Sequence, residues 1–123
     1  MKCDMNFINN YMKNIPIIYA FGFSNGGMML SNQSFKYNNI KKVLILNSPL
    51  MFNWHKIKEG VKKFNQDKMT FIFGSLDQSF GYLPLLENVK NSKVEIIKFE
   101  NRDHQFIGYL DEFLELPFKY LLN

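Results

Sequence analysis

Gly22-Phe23-Ser24-Asn25-Gly26-Gly27 is the segment of this chain whose residue types and spacing best suit chemistry. It contains the pattern GxSxG directly after an apolar run. A sharp strand-to-helix turn would hold the serine in a strained conformation, and glycine on either side lets neighbouring backbone approach closely. Ser24 would then present its hydroxyl at the amino end of the following helix, where the dipole and free N–H groups favour a developing oxyanion. The N–H of Asn25 is the expected first oxyanion donor. A serine hydroxyl is a poor nucleophile unless an imidazole takes its proton and a carboxylate fixes that imidazole's tautomer. The chain offers two histidines. His104, in Asn101-Arg102-Asp103-His104-Gln105-Phe106, follows the last apolar run and is the expected base, whereas His55, beside Trp54, reads as an exposed helix residue. Asp77, in Gly74-Ser75-Leu76-Asp77, lies just past the third apolar run and is the expected acid. A helix cap is the other reading of Asp77, and Asp103 is a competing acid that could instead shape the loop presenting His104.

The elements that must position these groups follow from hydrophobic patterning. Four short runs rich in β-branched or aromatic residues, 15–23, 43–47, 69–73 and 94–99, read as strands. The first three are nearly continuously apolar, which suits strands covered on both faces, while the fourth carries Glu95 and Lys98 and reads as an edge. Segments 27–35, 54–64 and 83–89 fit helices, and 109–122 fits a final one interrupted or restarted at Pro117. Met5 to Lys13 fits a helix ahead of the first strand. Strand and helix alternation predicts an α/β fold, a mostly parallel sheet flanked by helices and joined by right-handed crossovers. Ser24, Asp77 and His104 then all fall at the carboxyl ends of strands, where such sheets gather their ligands.

With these residues in place, the chain resembles the carboxyl-terminal half of the α/β-hydrolase superfamily over nearly all of residues 15 to 123. Its Gly22 to Met29 segment is similar to nucleophile elbows of polyester depolymerases, feruloyl-esterase-like hydrolases and prolyl-oligopeptidase-type peptidases. Gly74 to Asp77 and Asp103-His104-Gln105-Phe106 resemble the acid and histidine loops of short intracellular esterases. The resemblance implies a truncated α/β-hydrolase-like fold, the chain order Ser, Asp, His, and acyl transfer from small esters or thioesters to water without a cofactor or metal. It also implies that the family's first four strands, and the loop giving a second oxyanion donor, have no counterpart here. The strand at 15–23 would then need its outer edge covered by a second copy of the chain, by a separate amino-terminal polypeptide, or by a rearranged first segment. Phe23, Met28, Met51, Phe52, Trp54 and Phe106 are candidates for the acyl pocket or for core. Two other functions stay in play: a non-catalytic hydrolase-fold protein that binds a partner through its sheet edge, and a peptidase or acyltransferase using the same three side chains.

Length and composition bound the remaining possibilities. A chain of 123 residues, 46% hydrophobic and 21% charged, reads as one globular domain, 1–123. Its net charge of +4 comes from lysines spread between apolar segments, with no basic stripe, so nucleic acid is not an expected partner. Lys56 to Lys68 includes Glu59 and Asp67 and reads as a solvated helix face. The single cysteine, Cys3, excludes an intramolecular disulfide. Neither a signal peptide nor a membrane-spanning run is apparent, so a cytoplasmic protein that does not engage membranes is the expectation.

Overall fold

Strand β1 (Ile18–Phe23), helix α1 (Asn25–Gln33), β2 (Ile40–Leu46), α2 (Trp54–Lys63), β3 (Lys68–Gly74), α3 (Leu83–Val89), β4 (Val94–Phe99) and α4 (Leu110–Leu121) follow one another along the chain. The computed structural model describes residues 14–122, so the expected helix from Met5 to Lys13 lies outside the described residues. Three short 3₁₀ turns, Ser34–Lys36, Leu50–Phe52 and Gln78–Tyr82, continue or connect these elements. The four strands form one parallel sheet in the order β1-β2-β3-β4.

That order explains the layering. Each strand is followed by a helix and then by its parallel neighbour, always stepping the same way, so right-handed crossovers place successive helices on one face. Leu30 of α1, Ile57 and Val61 of α2 and Leu86 of α3 pack there against Val43 and Ile45 of β2 and Met69, Phe71 and Phe73 of β3. The other face belongs to α4, whose Leu116 and Leu121 join Leu44, Leu46, Ile72 and Phe106 in a second cluster. Alternation along β2 feeds both clusters, as a strand buried on two sides requires.

Three sequence expectations are corrected by the structure. Strand β1 alternates rather than being covered on both faces: Ile18 and Ala20 pack toward α1 to α3, whereas Tyr19 and Phe21 are 40% and 38% exposed on the α4 side. As an edge strand flanked by a single helix on that face, β1 is only half covered among the described residues. Helix α4 also runs unbroken through Pro117. Proline in a helix interior costs about 3 kcal/mol, and the burial of Leu116 and Leu121 on either side of it offsets that cost. Helix α1 begins two residues before the expected start, at Asn25, so that Ser24 itself is the residue entering the helix. Among the described residues no helix is long and apolar enough to cross a membrane.

Candidate active site

Three of the four strand ends on the carboxyl side of the sheet carry an unusual backbone. Ser24 follows β1 at φ 57, ψ −123, Asn47 follows β2 at φ 47, and Asn101 and Phe106 follow β4 at φ 60 and 55. Positive φ in residues other than glycine costs about 1–3 kcal/mol each and persists where the surroundings enforce it. At Ser24 the enforcement is visible. Its N–H donates to Leu46 O at 3.0 Å, and its carbonyl accepts from Gly27 N and Met28 N at 3.1 and 3.3 Å. Gly22 lies against the backbone of Gly27 so closely that a β-carbon there would sit 2.6 Å from Gly27 Cα. Asn25 is the first residue of α1, where a backbone N–H has no acceptor within the helix.

Asp77 and His104 meet at this rim. Asp77 Oδ1 lies 2.5 Å from His104 Nδ1, and its other oxygen, Oδ2, accepts from Ser79 N at 2.9 Å and from the Ser79 hydroxyl. The carboxylate is therefore anchored on one side and presents its second oxygen to the imidazole, with only 5% of its side chain exposed. Bonding at Nδ1 leaves Nε2 as the ring nitrogen open to a reacting group. Asp77 also N-caps the Gln78–Tyr82 turn, so the capping and pairing roles coexist in one side chain. Asp103 turns its Oδ1 to Gln105 N and Ile107 N, at 3.2 and 2.9 Å, and braces the loop. His55 is exposed on α2.

Among the described residues the Ser24 side chain forms no hydrogen bond, so the link from its hydroxyl to His104 is not closed in this structure. Catalytic contacts often tighten only when substrate is bound.

A cleft of about 410 Å³ opens beside the His104–Asp77 pair, lined among others by Asn47, Pro49, Met51, Leu76 and Ser79. Met51 is the one expected pocket residue that lines it. Phe106 is 1% exposed and belongs to the α4-side core. Met28 and Trp54 pack against the opposite core, and Phe52 is 77% exposed. Phe23 lies against the His104 ring, their centroids 4.9 Å apart, and meets Phe113 edge-on at 5.6 Å. Asn47 and Ser79 went unnoticed in the sequence; the Asp-x-Ser spacing of 77 and 79, a common turn-capping pattern, was the available signal for Ser79. Among the described residues no three His, Cys, Asp or Glu side chains gather as a metal centre would need.

The loop carrying His104 is tethered by Arg102. Its Nε and Nη2 donate to the two carboxylate oxygens of Glu112 at 2.8 and 2.9 Å, its guanidinium stacks 3.5 Å from the Tyr109 ring, and its carbonyl accepts from Leu76 N at 3.0 Å. Hydrogen bonds from Arg102 hold the Glu112 carboxyl below its ordinary value of 4.5. A lowered folded-state pKa means that the unfolded chain binds the extra proton first. The stabilisation is thus complete above the ordinary value and is lost as pH falls through the lowered one. Glu112→Gln is expected to flatten the acid-side loss of stability just beneath pH 4.5, read by urea melts across that range. An unchanged slope would show that the pair does not contribute.

No family model matches the chain, and no curated protein matches it. Solved structures do. The chain is similar to the esterase domain of a Rhodothermus marinus protein (12% identity, TM-score 0.69, 84% of this chain and 58% of that one). It is also similar to a putative α/β hydrolase of unknown function from Agrobacterium tumefaciens (15%, 0.71, 95% and 55%) and to dienelactone hydrolase from Anabaena variabilis (13%, 0.64, 83% and 47%). The chain spans about half the length of these structures. Four parallel strands flanked by helices, together with these neighbours, give the chain a truncated α/β-hydrolase-like fold.

Proposed function

We propose that the chain is a serine hydrolase acting on small carboxylic esters or thioesters. The observation that carries this reading is the 2.5 Å Asp77–His104 contact, formed on the same sheet rim as the strained Ser24. Two of the structural neighbours are named as an esterase domain and a dienelactone hydrolase, which agrees with acyl chemistry. In the proposed reaction Ser24 Oγ bonds to the substrate carbonyl carbon as its proton passes to His104 Nε2. The oxyanion accepts from Asn25 N–H. Collapse of the tetrahedral intermediate breaks the bond to the leaving alcohol or thiol, which takes the proton from His104. Water, activated by the same imidazole, then releases the acid. Asp77 holds the imidazole in the Nδ1–H tautomer and stabilises its charged form. Met51 and Leu76 offer apolar surface to the acyl chain. A fluorophosphonate probe should label the wild-type protein and spare Ser24→Ala; equal labelling of both removes Ser24 from the reaction. A peptidase or acyltransferase would share these steps, and a panel of amide and thiol acceptors separates the three.

Strand β1 favours a second reading, partner binding without catalysis. Its outer edge is unpaired among the described residues, and Tyr19 and Phe21 stand exposed beside it. Open apolar edges invite strand addition. The occupant we assign is a separate polypeptide bringing a parallel strand, equivalent to the half of the neighbouring structures that this chain does not span. Light scattering after size exclusion tests it. A chain that is monomeric alone and forms a 1:1 complex with such a polypeptide supports it, and a self-sufficient dimer points to a second copy instead.

A further inference from the structure

Asn47 sits where β2 ends, between the loop that carries Asp77 and the loop that carries His104. It is 1% exposed and adopts φ 47, a left-handed backbone that asparagine tolerates better than most residues. Its amide nitrogen donates to His104 O at 2.9 Å and to Asp103 O at 3.2 Å. Its amide oxygen accepts from Gly74 N at 2.8 Å, and its own N–H donates to Ile72 O at 3.0 Å. The preceding residue, Leu46, accepts from Ser24 N. One buried side chain therefore joins the histidine loop to the start of the acid loop, and its immediate neighbour holds the backbone of the serine.

The chemistry of the amide makes this role specific. Two donors and one acceptor on a single rigid group meet two carbonyls and one N–H, all in backbone that flanks the paired side chains. A carboxylate of the same shape would keep the bond from Gly74 but would set negative charge against the two carbonyls. An apolar residue would leave three buried polar groups unpaired, at about 1–3 kcal/mol each.

We infer that Asn47 is a positioning residue, fixing the His104 loop against the Asp77 loop so that the imidazole keeps its place relative to Ser24. The effect on acylation rests on the serine-hydrolase reading; the effect on the His104–Asp77 pair does not.

The test uses Asn47→Asp, which keeps size and backbone tolerance, and Asn47→Gly, which keeps only the backbone tolerance. Two readouts separate the inference from the functional reading. The first is the low-field proton resonance of the short His104–Asp77 hydrogen bond, with the exposed His55 ring as an internal control. The second is the rate of fluorophosphonate labelling. The expectation is a folded variant that loses the low-field resonance while His55 is unmoved, and whose labelling slows about 100-fold, the cost of an ångström-scale misplacement. A folded variant that keeps both the resonance and the wild-type rate overturns the inference. So does failure of both variants to fold, which would make Asn47 a stability residue. If wild-type protein takes no label, the hydrolase reading fails alone, and the resonance still decides the role of Asn47.

Discussion

On the serine-hydrolase reading, Asp77→Asn is expected to slow hydrolysis of a short p-nitrophenyl ester by about 10⁴-fold while leaving the fold intact. The size of the effect follows from the way the carboxylate is held. Ser79 N–H can only donate, and it faces Oδ2 of Asp77 at 2.9 Å. An asparagine at 77 must turn its carbonyl oxygen toward that donor, which aims its NH₂ group at His104 Nδ1. Two donors cannot share that 2.5 Å contact, so the ring gives up its Nδ1 proton and carries it on Nε2 instead. The nitrogen that would receive the Ser24 proton in the proposed reaction is then already occupied. The measurement is kcat/KM for the variant beside circular dichroism of its fold. A folded variant within tenfold of wild type would show that Asp77 does not set the tautomer.

The second large effect concerns three glycines of one motif, which should respond in opposite directions. A β-carbon on Gly22 would lie 2.6 Å from both Cα and N of Gly27, backbone on backbone, with nothing free to yield. On Gly27 it would lie 2.0 Å from Ser48 Oγ and 2.9 Å from Gly22 O and Ile45 Cγ2. Alanine at 22 forces the crossing of β1 and α1 apart, alanine at 27 pushes α1 off Ser48, Ile45 of β2 and the Gly22 carbonyl, and each is expected to cost about 3 kcal/mol, the upper range for overpacking. Gly26 meets nothing within 4 Å and already lies in α1. Alanine there should stabilise by about 0.5 kcal/mol, by restricting the unfolded chain and favouring helix. Urea midpoints of the three variants give the comparison. A Gly22→Ala protein as stable as Gly26→Ala would mean that the elbow is not as closely packed as described.

How much of this was legible in the sequence depends on which residues are asked. Periodicity located all four strands, and β4 to the residue, because runs such as Val94 to Phe99 sit between polar turns. The bounds of β2 slipped because Lys41 and Lys42 conceal three residues of ladder at its start, although they are only partly exposed. The rim location of Ser24, Asp77 and His104 followed from strand ends alone. The cleft did not. Trp54, Met28 and Phe106 have the composition of a pocket and the positions of core, and side-chain type does not say which face an element turns inward. Asn47 reads in sequence as merely the polar last residue of the run 43–47. Its importance comes from contacts 27, 56 and 57 positions away, a separation that no local pattern reports. Likewise, Tyr19 and Phe21 share the apolar character of Ile18 and Ala20, and only the position of β1 at the sheet margin exposes them.

Pairing each strand with the next one in sequence has a consequence for how the molecule is made. No strand must wait for a distant partner, so the sheet can lengthen in the order in which it leaves the ribosome, each new helix–strand unit docking on the last. The imidazole, borne on the final loop, is the last of the three side chains to arrive. A nascent chain halted before β4 would hold the serine and the carboxylate without the imidazole, so on the serine-hydrolase reading this rim gains activity only once the segment after β4 has been made.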